Sequence, residues 1–537
     1  MPTILEVFSK NVDQYGEQTA LETLAPKGKG FVTINYRDLD ALSNRVAAGL
    51  LDRGIKAGAK VGILAKPRPE FAASMLGIMK IGAVAVPLDP LLQSGEVHRL
   101  LGACDIEVLI AGGDHFDDVR ELAIPELVIN IDAEGDLEGN RELSWTQFLS
   151  DSDVPKHIHN LDELAVFLNT SGTMGDAKPV MLAHQNFSAN ISGVMERLDI
   201  THNDVILSIA PWNHSFGLIV LMAVLWNGCK LIYTNDYANL SKTMFETRPT
   251  IVVAVPKLFH AMYQRVEQNI NASFAKRALA RFAPKMIGRG LRKKLGGDRL
   301  RFFASGSAPL SPRVMSGFRR FGLGMIEGYG MTEATPVLTF STEFNNKIGS
   351  VGPPLSNIEL KLIDKNEEGI GELLARGPNI MRGYYKNESR TREMIDEEGW
   401  LHTGDLATLD NDGWLYIRGR KKNLIVLESG KNVYPEEIEW ELGRSPYIEE
   451  IMVRRGNRKN VEVIQALVYP NFEEIPAGLS TEELHNLIWA DIRARNQNLA
   501  SYKRLRSDQD LIVLEEPFEK TSLKDIKRYK YLETVKS

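Results

Sequence analysis

Through the first two-thirds of the chain, short apolar runs alternate with stretches whose apolar residues recur at helical spacing. KVGILAK at 60–66 predicts a strand, 70–81 a helix, and AVAVP at 83–87 a second strand closed by proline. Residues 164–168, 205–210 and 251–255 repeat the strand pattern. Such alternation predicts parallel sheets joined by crossover helices. Across 347–375 the segments become short, β-rich and turn-rich, as in a small barrel or antiparallel sheet. The DNDG turn at 410–413 leads into a strand at 414–417 and then the charged run RGRKK at 418–422. The expected boundary therefore falls near 419–422, giving domains 1–419 and 420–537. Patterns of helix, strand and helix at 435–442, 461–468 and 481–496 are enough for a small α+β domain. No repeat at a 20–50-residue period is evident.

Length agrees with this division, because 537 residues are too many for one hydrophobic core. A composition of 43% hydrophobic and 25% charged residues excludes disordered and collagen-like classes. The net charge of -6 gives no overall drive toward nucleic acid. Cys104 and Cys229 have no metal-ligand spacing and fit a reducing compartment. The N-terminus lacks the features of a signal peptide, and the terminal Val-Lys-Ser is not a peroxisomal address. The longest apolar run, 216–226, is too short to span a bilayer and reads as a buried helix. A cytoplasmic location is the expectation.

Residues 169–178, NTSGTMGDAK, follow an apolar strand and carry the strongest chemical signal. Glycines let backbone N–H groups approach phosphate oxygens, hydroxyls donate further hydrogen bonds, and the closing lysine supplies positive charge. The Walker pattern GxxxxGK[ST] is absent. Alone, the stretch would also suit an exposed flexible loop.

The loop resembles the phosphate-binding signature of the adenylate-forming superfamily, and further motifs similar to that family's follow in order. They are AVAVPLDP at 83–90, PWNHSFG at 211–217, SGSAPL at 305–310 and YGMTE at 329–333, then Gly371, Gly377, Gly383 and Tyr384, TGD at 403–405, and Arg420 with Gly430, Asn432, Pro435 and Glu437. The match spans almost the whole chain. The resemblance implies an α/β fold: a large N-terminal domain of two parallel-type α/β sheet subdomains plus a small β-barrel-like subdomain, followed by a small mobile α+β C-terminal domain. It also implies the chemistry. A carboxylate attacks the α-phosphorus of ATP, pyrophosphate leaves, and a thiol then takes the acyl group from the adenylate and releases AMP.

Residue roles follow from that resemblance. Thr170, Ser171, Gly172, Thr173, Gly175 and Lys178 would cradle phosphate, Asp405 would accept the ribose hydroxyls, and Arg420 would contact the ribose. Tyr329, with Gly330 beside it, offers an aromatic face to adenine. Gly306, Ser307 and Ala308 would let adenine and the acyl chain pass. Thr332 would touch phosphate and Glu333 would hold Mg²⁺, a hard ion that keeps several waters. His214 would line and gate the acyl site. Lys422 marks the expected hinge, and Ser429 and Gly430 would line the path of coenzyme A.

The sequence departs from the family at two places. Met174, Ala177 and Pro179 replace a usual hydroxyl, proline and glycine, and one lost hydrogen bond is worth roughly 0.5–1.5 kcal/mol. At 517–528, PFEKTSLKDIKR replaces a loop whose last lysine catalyses adenylation. An ungapped alignment puts Asp525 there, where its charge would repel the phosphate. A loop one residue shorter puts Lys524 there, which is the preferred assignment, with Lys520 and Lys527 as alternatives.

The stretch 276–294 holds eight basic residues and no acidic one, interleaved with apolar positions. Such a segment can rest weakly on an anionic membrane, meet coenzyme A phosphates or an acidic carrier protein, or simply face solvent. The expected substrate is a medium- or long-chain fatty acid. Acyl carrier protein as acceptor and an aryl acid remain alternatives, and a nucleotide- or acyl-binding regulator that has lost catalysis is the alternative of another class. A peptide-synthetase module is less expected, because no carrier domain follows.

Overall fold

Strongly apolar strands are central in a sheet because both faces are covered, and the runs identified above occupy such places. The computed structural model describes residues 1–25, 30–120, 122, 124–139, 141–171, 177–295, 297–343, 345–428, 430–458, 461–520 and 526–532. One eight-stranded sheet has the order Val337–Phe340, Gly324–Gly330, Phe302–Ser305, Ile251–Ala254, Val205–Ser208, Lys230–Tyr233, Thr19–Leu24, Phe31–Asn35. The other has the order Gly383–Tyr384, Ala177–Ala183, Leu164–Ser171, Val84–Pro87, Lys60–Leu64, Ile106–Ala111, Leu127–Asn130, Glu142–Ser144.

The pairings differ from a purely parallel expectation in an informative way. In the first sheet the inner pairings are parallel, and the outermost pairing at each end is antiparallel. In the second, antiparallel pairing is confined to the end formed by Leu164–Ser171, Ala177–Ala183 and Gly383–Tyr384. These strands are joined by a hairpin or reach in from far along the chain, so crossover helices do not dictate their direction.

The helix Pro69–Lys80 is buried on nearly every side, as its apolar sequence requires. The apolar run 216–226 forms most of the helix Ser215–Asn227. Its last carbonyls are capped from elsewhere: Asn11 Nδ2 donates to Leu225 O and Trp226 O, both at 2.8 Å. The basic stretch is two helices, Phe274–Phe282 and Pro284–Lys294, with the break at Pro284, whose ring fits the first turn of the second helix.

The chain forms two compact units. The first contains Met1–Leu360, Ala375–Leu401 and Asn411–Leu415; the second contains Lys361–Leu374, His402–Asp410 and Tyr416–Ser537. In the second unit, the hairpin Ile448–Arg458 and Val461–Pro470 pairs with Leu511–Val513 in parallel. The helices Pro435–Leu442 and Thr481–Asn496 contribute Ile438, Leu442, Ile488 and Ile492 to its core. A capping box between Ser480 and Glu483 fixes the start of the longer helix.

Candidate functional site

The strands on either side of the hydroxyl- and glycine-rich motif pair Thr170 with Lys178 and Ser171 with Ala177. Gly172, Thr173 and Gly175 lie outside the described residues, and the side chains of Thr170 and Ser171 are likewise not described. Lys178 is half-buried and lines a cleft of about 260 Å³ with Pro179, Tyr384, Tyr385 and Lys386. The strand Gly383–Tyr384 pairs antiparallel with the hairpin, setting Tyr384 opposite Val180. From there the Tyr384 hydroxyl donates to Glu333 Oε1 at 2.7 Å. One short strand therefore ties the phosphate-type hairpin to the expected metal ligand.

Glu333 sits in the single helical turn Thr332–Ala334 and is 8% exposed. Its bond to Tyr384 leaves Oε2 without a hydrogen bond among the described residues. Burial pushes the Tyr384 phenol well above its ordinary range, and the adjacent Glu333 adds to this, so the hydroxyl stays a neutral donor. Thr335, at φ 61°, ends the turn. Asn379 Nδ2 donates to Ala334 O at 2.6 Å, and Thr335 Oγ1 donates to Asn379 O at 2.8 Å. Asn190 Nδ2 donates to Val337 O at 2.7 Å. The Nδ2 donors of these two amides hold the backbone of the turn, while Asn190 Oδ1 and Asn379 Oδ1 have no hydrogen-bond partner among the described residues.

Three further motifs converge here. Ser215 Oγ and Thr332 Oγ1 are 3.2 Å apart, so PWNHSFG meets YGMTE. A Cβ at Gly306 would lie 2.8 Å from the Phe216 ring, so a larger residue there would displace the ring, and Ser307 beside it adopts φ 70°. A Cβ at Gly330 would lie 1.8 Å from Pro336 O. Ala308 is exposed and Tyr329 half-buried, the latter paired with Thr339 across the sheet.

His214 precedes the apolar helix, its Nε2 3.3 Å from Asn213 Nδ2 and 3.7 Å from Asp89 Oδ2. Burial lowers its pKa, with Asp89 opposing, so the imidazole is neutral near pH 7.

The other expected site residues belong to the second unit. Asp405 is 2% exposed and bonds Arg420 Nε through Oδ1 at 2.8 Å. Gly404 turns the chain at φ 68°, and Thr403 Oγ1 donates to Leu373 O at 2.8 Å while accepting from the Asp405 N–H at 3.1 Å. Lys421 pairs with Glu372 at 2.6 Å, and Lys421 and Lys422 are both exposed. Gly430, at φ 76°, turns the hairpin of Ile425–Val426 and Asn432–Val433. Ser429 and Lys524 lie outside the described residues. Of the alternatives to Lys524, Lys520 is engaged by Glu450. Sequence reasoning assigned no role to Tyr384, Ser215, Asn379 or Asp89. Tyr384 and Asp89 lie inside motifs already noted; nothing marks Asn379 out.

Two eight-stranded mixed sheets, carrying the Lys178 cleft and the buried Glu333, define an α/β protein. The chain belongs to the AMP-binding enzyme family, which it matches over residues 8–385, with the AMP-binding enzyme C-terminal domain matching over 422–537. It is 30% identical over 526 residues to long-chain-fatty-acid–CoA ligase 6 of Mus musculus, covering 88% of this chain and 75% of the mouse protein. It is 32% identical over 443 residues to long-chain-fatty-acid–CoA ligase FadD15 of Mycobacterium bovis, covering 76% and 72% of the two chains. The crystal structure of the anthranilate CoA ligase AuaEII in complex with anthranoyl-AMP shares the fold, with a TM-score of 0.80, 24% identity, and coverage of 99% of this chain and 96% of the other.

Proposed function

We propose that this protein is an AMP-forming acyl-CoA synthetase acting on medium- or long-chain fatty acids. The observation that supports the reading is the Tyr384 link: Tyr384 lines the Lys178 cleft, and its hydroxyl bonds the buried Glu333. Here the enzyme supplies no covalent nucleophile. Its task is to position two anions and neutralise the charge that grows on the phosphorus. Lys178 and the hairpin N–H groups hold phosphate oxygens, with Thr332 adding a hydroxyl. Glu333 Oε2 is a hard oxygen suited to Mg²⁺, which would neutralise phosphate charge. In the second unit Asp405 and Arg420 are proposed for the ribose; in the first, Tyr329 is proposed for the adenine face, with Gly306, Ser307 and Ala308 as small residues that leave room. The neutral His214 imidazole makes a wall that an apolar chain can approach without meeting a charge. Relatives that act on long-chain fatty acids support the substrate class, and coenzyme A is the proposed acceptor. The functional test is AMP release from protein, ATP, Mg²⁺ and coenzyme A with a panel of fatty and aryl acids. AMP release that depends on a fatty acid is expected. No acid-dependent AMP with any acid would support a binding protein instead, and release with carrier protein alone would reassign the acceptor.

Residues 420–537 are proposed to swing about Lys422 between adenylation, with Lys524 at the phosphate, and thioester formation, with Ser429 and Gly430 near the thiol. Lys524→Ala should lower ATP–pyrophosphate exchange far more than thioester formation from preformed acyl adenylate. Equal losses in both half-reactions would reject the assignment.

The protein is further proposed to be cytoplasmic with weak peripheral membrane contact. No described helix is long and apolar enough to cross a membrane. The helices Phe274–Phe282 and Pro284–Lys294 expose Phe274 (79%), Phe282 (82%) and Met286 (57%) among basic side chains. Exposed aromatics that can enter the headgroup layer, plus attraction to anionic headgroups, give salt-sensitive binding. Sedimentation with anionic liposomes should show binding at low salt that is lost at high salt; none at low salt rejects it.

A further inference from the structure

Away from the cleft, residues 157–163 (HIHNLDE) bring two imidazoles and a carboxylate together. His157 Nε2 lies 2.9 Å from Glu163 Oε2, and His159 Nδ1 lies 3.8 Å from the same oxygen. One donor atom from each of the three falls within 4.8 Å of the other two. Ligands of a tetrahedral zinc-type ion, with bonds near 2.0–2.1 Å, stand about 3.3 Å apart, so small side-chain adjustments bring these three into range.

The local fold accounts for the convergence. Ile158 is 85% exposed, so the alternation of an extended chain turns His157 and His159 toward the protein. Glu163 is held where its N–H donates to Asn160 O at 3.1 Å and its carbonyl accepts from the His184 N–H at 3.0 Å. Gly82 leaves room for His157, since a Cβ there would sit 2.8 Å from Nε2.

Two further observations point to a ligand. The His159 side chain is only 10% exposed, yet its Nδ1, aimed at Glu163, has no hydrogen-bond partner among the described residues. Behind it, 5.3 Å between ring centroids, the buried His184 also leaves Nδ1 without a hydrogen-bond partner among the described residues. Buried ring nitrogens are rarely left unpaired without cause. Neutral imidazole with carboxylate is the donor set of borderline divalent transition ions, whereas Mg²⁺ prefers oxygen.

The geometry points to a binding site for a zinc-type divalent ion formed by His157, His159 and Glu163, with the fourth position open to water. Its role is structural. Glu163 immediately precedes the strand Leu164–Ser171, whose far end opens the phosphate-type hairpin. Eight residues at about 3.3 Å each put the ion roughly 26 Å from that hairpin along the strand. It fastens the irregular segment 151–163 to the start of this strand, and does so whether or not the chain makes acyl-CoA.

The test uses the full-length protein, stripped with a chelator and titrated with Zn²⁺ by calorimetry in Mg²⁺-containing buffer. One equivalent should bind with a Kd of about 1 µM or tighter. Zn²⁺ should raise the Tm of the wild type. His159→Ala and Glu163→Gln should each weaken binding by more than the roughly 10–100-fold that loss of an outer partner costs. Should His159→Ala fail to fold, Glu163→Gln and the Co²⁺ absorption spectrum of the wild type decide. Intense d–d bands of a four- or five-coordinate ion are expected, lost in Glu163→Gln. Weak octahedral bands, no stoichiometric Zn²⁺, or equal affinity in the variants would overturn the proposal.

Discussion

Two buried carboxylates, one proposed for the ribose and one for Mg²⁺, are compensated differently in the two units. Asp405, in the second unit, already bonds a guanidinium, Arg420. Glu333, in the first, has one neutral donor, the Tyr384 phenol, and a second oxygen without a hydrogen bond among the described residues. A buried carboxylate is costly unless its charge is met. Asp405 therefore suits neutral hydroxyls, which add hydrogen bonds without demanding charge. Glu333 suits a cation. A third buried carboxyl, Glu327, sharpens the contrast. Its Oε1 accepts the Leu310 N–H at 2.9 Å, and burial pushes its pKa up to about 7. With no cation beside it among the described residues, this carboxyl holds its proton up to about pH 7.

The largest expected effect tests the demand of Glu333 for a cation. Glu333→Gln keeps an acceptor for Tyr384 and removes the charge. Pyrophosphate exchange should fall about 10³-fold, roughly 4 kcal/mol, with saturation by Mg²⁺ moved to higher concentration. An unchanged Mg²⁺ dependence would place the ion elsewhere.

Next comes Glu327. Its folded pKa of about 7 exceeds the ordinary 4.5, so the native state holds an extra proton between those values. The corresponding stability is fully present below 4.5 and is lost as pH rises through about 7, at most about 3 kcal/mol. Glu327→Gln should remove this slope, so the variant's gain in Tm over wild type should be greater at pH 8 than at pH 5. A difference independent of pH would mean that Glu327 is ionised in the fold.

Asp405→Asn retains an acceptor for Arg420 but weakens acceptance from hydroxyls. Charged-acceptor hydrogen bonds are worth about 1.5–3 kcal/mol, so KM for ATP should rise roughly 10–100-fold with Tm little changed. A large loss of Tm with KM unchanged would make Asp405 a structural partner of Arg420 alone.

The two regions also differ in how far local pattern exposes them. The segments 60–66 and 164–168 are apolar enough to read as buried strands, and 481–496 coincides with the helix Thr481–Asn496 because its cap and periodicity are both local. The strand Gly383–Tyr384 is two residues long and has no periodicity to read. Its value lies in a contact across 51 positions, from Tyr384 to Glu333. The TGD motif was visible, but the packing of 361–374 and 402–410 with the C-terminal part was not, since it joins segments distant in sequence. The single basic segment became two helices because Pro284 provides no N–H to continue the first.

The smallest expected effect isolates the Tyr384 bond itself. Tyr384→Phe keeps the ring, which is 4% exposed, and deletes one hydroxyl. If the phenol only fills space, the variant should be nearly neutral. If it orients Glu333, the carboxylate loses its one donor and turns within its turn of chain, so the cation is met at a worse angle. The cost should be that of one hydrogen bond to a charged group, about 1.5 kcal/mol, or roughly tenfold in kcat for adenylation. The effect should vanish in the Glu333→Gln background, because a neutral amide has no cation to misalign. Additive losses in the double variant would instead mean that Tyr384 acts on the hairpin strand it pairs with, and that the compensation of Glu333 comes from elsewhere.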